Sequence, residues 1–171
     1  MNVELILLRL VHVLGGMFWV GTGLFSAFFL MPTLAASGAT MGTVMAGLQR
    51  RRLYTVLPIV AILTIGSGMR LMYLASAGLD ATYFASTSGR AFATAGASAT
   101  LAWLVSAVVV RPSMQRAAVL AATLADADEA ERVALERQAA ALRRRGQLGS
   151  TVALVLLVIG AAGMAIARYL P

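Results

Sequence analysis

Four apolar runs, at residues 6–30, 53–75, 91–110 and 149–167, leave this chain very few folds. Each is close to the roughly 20 apolar residues that an α-helix needs to cross a bilayer. None alternates polar with apolar as a barrel strand would, and backbone in lipid must satisfy its hydrogen bonds as helix or closed barrel. The expected fold is therefore all-α: an integral-membrane four-helix transmembrane bundle, forming a single transmembrane domain over residues 1–171. The bulk numbers agree, with 60% hydrophobic residues, 12% charged residues and a mean hydropathy of +0.83. That is too little charge to cover a soluble domain of this length. The sequence LAASGA at 34–39 faintly resembles a cleavage site. The long apolar run before it, and Glu4 where a signal peptide carries cations, point to a retained span.

The formal charge is +7, and all 14 cations are arginines. Most flank the apolar runs, so lipid phosphates, and not nucleic acid, are their expected partners. Arg50, Arg51 and Arg52 lie between the first two spans. Arg111, Arg116, Arg132, Arg137, Arg143, Arg144 and Arg145 lie between the last two. The opposite ends hold only Arg9, Arg70, Arg90 and Arg168. The positive-inside rule then places both arginine-rich loops in the cytoplasm and both termini outside, as in a multi-pass protein of a bacterial inner membrane. The absence of cysteine excludes disulfides, thiolate metal sites and cysteine nucleophiles.

The loop at residues 111–148 reads as a helical hairpin. TLADADEAER at 123–132 contains two overlapping caps, Asp126 with Glu129 and Asp128 with Glu131. Span three should continue past Pro112, with a possible kink there, to about Leu124. A second helix should start near Glu129 and run into span four. Asp128 with Arg132 and Arg132 with Glu136 are spaced to pair along it. Small residues in span three (Ala95, Ala99, Ala102, Ser106) and span one (Gly16, Gly23, Ala27) suggest that these two spans pack closely. No internal repeat is evident.

The first span also carries the only histidine, His12. Helical spacing places Arg9, His12, Gly16, Trp19, Gly23 and Ser26 on one face. Span two brings Met69, Arg70, Met72 and Tyr73 toward the same end. Span four brings Met164, Arg168 and Tyr169. Only Glu4 and Asp80 offset the positive charge there. Ionisable residues in spans mark functional sites by default.

Three readings follow. His12 ligates a haem b iron, with Arg9, Arg70 or Arg168 neutralising propionates, Trp19 as an aromatic wall and Met69, Met72 or Met164, or a second subunit's histidine, as the other axial ligand. Alternatively, His12 and these methionines form a soft Cu(I) site. In the third, the polar groups are structural and the chain is an accessory subunit of a larger photosynthetic, respiratory or transport complex, or a homo-oligomer. No paired carboxylates, nucleophile–base arrangement or phosphate loop is present, which leans away from an enzyme and leaves no catalytic residue to name.

The segment LVHVLGGMFWVGTGLFSAFFLMP resembles the opening helix of the copper resistance D-like family of small polytopic membrane proteins, with its histidine, Trp-x-Gly and later proline. More distantly it is similar to the HemJ type of protoporphyrinogen oxidase, and MAIARYL at 164–170 resembles the close of such proteins. The first resemblance implies copper handling at the inner membrane with His12 as the carried-over position. The second implies haem on His12 and a haem-dependent oxidase.

Overall fold

The computed structural model describes residues 2–37, 40–124 and 127–170. The expected cleavage-like residues Gly38 and Ala39, and the expected cap Asp126, lie outside them. Among the described residues the chain is almost entirely helical, joined by short turns and without strands. Helix α1 is Val3–Ala36, α2 is Thr40–Arg50, α3 is Leu53–Ala75 and α4 is the short Ala81–Ala85. Helix α5 is Thr87–Thr123 and α6 is Glu129–Ile166, followed by a 3-10 turn at Ala167–Tyr169. Helices α1, α3, α5 and α6 are each long and apolar enough to cross a membrane. Three of them run well beyond the apolar cores read from the sequence.

The chain divides into two compact units, one of Met1–Ala99 with Leu157–Pro171, the other of Thr100–Leu156. The first unit holds α1 to α4 with the first part of α5 and the last part of α6. Helix α1 lies antiparallel to α3: a Cβ on Gly15 would overlap the Thr64 hydroxyl, and one on Gly16 would lie 3.7 Å from Thr64 Cγ2. The first stretch of α5 lies against the end of α6. There a Cβ on Gly160 would come within 3.0 Å of the Ala95 carbonyl, and one on Gly163 within 2.9 Å of Ala95 Cβ. The small residues thus work as expected in lipid, where close backbone approach drives helix pairing. They join sequence neighbours, however: Gly16 meets span two and Ala95 meets span four, where the sequence suggested one against three. Polar side chains inside the spans bond back to their own helix, as in Thr64 Oγ1 to Val60 O at 2.8 Å and Ser67 Oγ to Leu63 O at 2.7 Å. Between α3 and α4, Asp80 caps α4 by accepting from the Thr82 hydroxyl and the Thr82 N–H, and these bonds hold its carboxyl below the usual carboxylate range.

The second unit holds the expected hairpin. Helix α5 continues through Pro112 to Thr123, and α6 begins at Glu129, with Asp128 Oδ1 accepting from Glu131 N at 2.8 Å. The arms are antiparallel: Gly149 faces Val109 and Val110, and Gly146 faces Ser113 and Met114. Arg132 pairs with Glu129 at 3.7 Å, one turn back, and not with Asp128 or Glu136 as the spacing had suggested. Asp128 is committed instead to the cap through Glu131 N–H.

Pro112 is absorbed by a different device from a simple kink. Residues Ser106–Val110 form a π-helical turn, and Arg111 N–H reaches back to Ser106 O. A proline ring collides with the carbonyl four residues earlier and offers no N–H. One wide turn before it removes the collision. Span one does the same: Ser26–Leu30 is a π-turn ahead of Pro32, and Met31 N–H reaches Ser26 O. The sequences at these places are SAFFLMPT (26–33) and SAVVVRPS (106–113). The two proline-bearing helices thus share one local device, a wide five-residue turn placed ahead of the ring. Helix α3 follows the triplet Arg50–Arg52 and ends in GMRLMYL (68–74), while α6 contains the triplet Arg143–Arg145 and, with the 3-10 turn after it, ends in GMAIARYL (163–170).

Candidate functional site

His12 is half-buried at the α1–α3 contact. Its Nδ1 lies 2.8 Å from the backbone carbonyl oxygen of Thr64. A carbonyl only accepts, so Nδ1 carries the proton and donates, and in the neutral ring Nε2 keeps its lone pair. Gly68 makes room for the ring: a Cβ there would lie 2.6 Å from His12 Cε1 and 2.9 Å from Nδ1. The Thr64 carbonyl accepts a second bond from Ser67 Oγ at 3.0 Å. The imidazole is thus fixed in tautomer and plane by helix backbone, the kind of support that orients metal-binding histidines.

Two of the three candidate methionines converge. A Cβ at Gly96 would lie 3.7 Å from Met72 Cε and 3.8 Å from Met164 Cε, so the side chains of α3 and α6 close on one small residue of α5. Met72 lies one helical turn beyond Gly68 on the same face of α3, toward the end that bears Arg70. Met69 does not join them. It points away from the helix contacts and is 68% exposed.

The arginines are already engaged or turned outward. Arg70 Nε pairs with Glu4 Oε1 at 2.8 Å, the side chains 46% and 47% exposed, and its guanidinium carbon lies 5.5 Å from the Tyr73 ring centre. Arg168 lies 5.0 Å from the ring centre of its neighbour Tyr169. Arg9 is exposed on α1. Trp19 is 8% exposed and belongs to the apolar core of its unit. So the expected set separates into His12 with Met72 and Met164 facing helix contacts, Trp19 in the core, and Arg9, Arg70, Arg168 and Met69 at the periphery. No group of three or more histidine, cysteine or acidic residues able to hold a metal occurs among the described residues.

Compared with known proteins, the chain matches no family model, no curated protein and no solved structure.

Sequence reasoning did not single out Thr64 or Gly68, although both define how His12 is held. A usable signal was present. Glu4 and Arg70 are opposite charges near the ends of two consecutive, antiparallel spans. Pairing them sets the register and brings His12 to within about a turn of Thr64.

Proposed function

We propose that this multi-pass membrane protein binds Cu(I) without catalysing a reaction, through His12 Nε2 and the thioethers of Met72 and Met164. The observation that carries this reading is the Nδ1 bond to Thr64 O, which commits one imidazole nitrogen to the scaffold and presents the other as a donor. Imidazole and thioether are soft or borderline ligands that suit Cu(I), and Met72 and Met164 already meet at Gly96. The resemblance of span one to the copper resistance D-like family points the same way. A haem at His12 has less support, because Arg70 is held by Glu4 and Arg168 lies over Tyr169, leaving neither guanidinium poised for a propionate.

The variant that separates a ligand from a mere helix clamp is His12→Asn. An asparagine amide can donate from about the position of Nδ1 but has no counterpart of Nε2. After Cu(I) loading and metal analysis, His12→Asn and Met72→Leu/Met164→Leu are each expected to retain at most about a tenth of the wild-type copper, a loss of roughly 1.4 kcal/mol or more in binding. Wild-type copper content in both variants would remove the proposal. In this reading the protein lies in a bacterial inner membrane with the α5–α6 hairpin in the cytoplasm, supported by the arginine distribution. A reporter fused to the C-terminus should read as periplasmic and one inserted beside Asp128 as cytoplasmic. The reverse pattern would invert the topology.

A further inference from the structure

The second unit contains a groove of about 560 Å³ along the α5–α6 contact. Val105, Val109, Leu148 and Val152 form its apolar surface, and Arg144 and Arg145 stand at one end. The groove follows from the packing. The helices touch closely at Gly146 and Gly149, where a Cβ would press on Met114 Sδ at 2.7 Å and on Val109 Cγ1 at 3.1 Å, and the groove opens beside these crossings. Arg144 and Arg145 are exposed, and neither has an acidic partner or a hydrogen-bond acceptor among the described residues. Arg144 to Val152 spans about 12 Å of helix, so the charged end and the apolar end are separated along the axis of a span. Val152 and Val105 belong to the apolar runs that cross the membrane; the arginines mark where α6 leaves it.

We infer that this groove binds one anionic phospholipid, its phosphate on Arg144 and Arg145 and an acyl chain along Val105, Val109, Leu148 and Val152. The occupant must be amphipathic, because one end of the groove opens toward hydrocarbon and the other carries two uncompensated guanidinium groups. A free phosphate leaves the apolar surface uncovered. A zwitterionic lipid brings a cationic headgroup toward the arginines. Guanidinium groups also suit phosphate oxygens better than ammonium groups do, since they offer paired donors in one plane. Basic recesses between transmembrane helices are known to hold anionic headgroups in this manner.

The test uses the purified full-length protein in mild detergent, with bound lipid counted by native mass spectrometry during titration with phosphatidylglycerol or phosphatidylcholine. Wild type is expected to prefer phosphatidylglycerol by about tenfold or more, from two arginines each contributing on the order of 1 kcal/mol. Arg144→Gln/Arg145→Gln should reduce phosphatidylglycerol to the phosphatidylcholine level. Val152→Trp, which fills the apolar end while keeping both charges, should weaken both lipids severalfold. Arg50→Gln/Arg51→Gln removes the same charge from the other loop and should leave the preference intact. The inference is overturned if the Arg144/Arg145 variant keeps the wild-type preference, if the Arg50/Arg51 variant loses it equally, or if inorganic phosphate displaces the lipid as readily as excess phosphatidylglycerol does.

Discussion

Substituting Gly68 with alanine should eject the imidazole of His12 from its seat. The new Cβ would lie 2.6 Å from Cε1, and the ring can move only by giving up the bond to Thr64 O. A lost hydrogen bond and a crowded helix contact together cost about 2–4 kcal/mol. The helix propensity gained by replacing glycine returns less than about 1 kcal/mol of this. Reversible unfolding in mixed micelles should therefore show a clear destabilisation, and copper retention should fall with it. A double-mutant cycle identifies the cause. With His12→Ala already in place, Gly68→Ala has nothing to displace and should be neutral or mildly stabilising. Equal destabilisation in both backgrounds would mean that Gly68 matters for some reason other than the ring.

The second large effect is expected at Gly160. A Cβ there would meet main-chain atoms of α5, the Ala95 carbonyl at 3.0 Å and the Ala99 nitrogen at 3.3 Å. Main chain cannot swing aside as a side chain can, so Gly160→Leu has to push two helices apart. Overpacking of this kind costs about 1–3 kcal/mol even where side chains can adjust, and separating helix backbones in lipid removes the packing that holds them. We expect a loss of about 3 kcal/mol or more by the same unfolding assay. Gly66→Leu is the matched control, because a Cβ at Gly66 meets nothing within 4 Å. It should change stability by less than about 0.5 kcal/mol. Comparable losses at Gly66 and Gly160 would show that leucine in a span is harmful irrespective of what it touches.

The helices were legible because the solvent dictates them: an uninterrupted apolar run in lipid has no alternative to internal backbone hydrogen bonding. The hairpin was legible because Asp128 caps and the acids after it suit the helix start. What escaped was pairing. Spans one and three both present small residues, and composition says that such faces seek a close neighbour without saying which one. The structure settles it through contacts of Thr64 and Gly160, neither of which has a distinctive sequence context. Pro112 was read from the general behaviour of proline, whereas the widened turn before it depends on a register shift that no single residue announces. At the site, His12 stood out because it is alone. Its partner did not, because the acceptor is a backbone carbonyl, and every residue has one. Arg70 was drawn toward the site by proximity in sequence pattern; Glu4, an acid close to it in space, claims it instead.

The contact between α5 and α6 offers an internal comparison for the histidine at the contact between α1 and α3. Gly163, like Gly68, sits in a Gly-Met pair near the end of its helix, and the nearest atom to a Cβ there is the methyl group of Ala95, where at Gly68 it is the imidazole. Two spans of this chain can thus approach one another at a glycine with nothing more than an alanine between them. Bringing the spans together does not by itself demand a ring nitrogen bonded across the gap, so the asymmetry between the two contacts is where selection for something other than architecture would leave its mark.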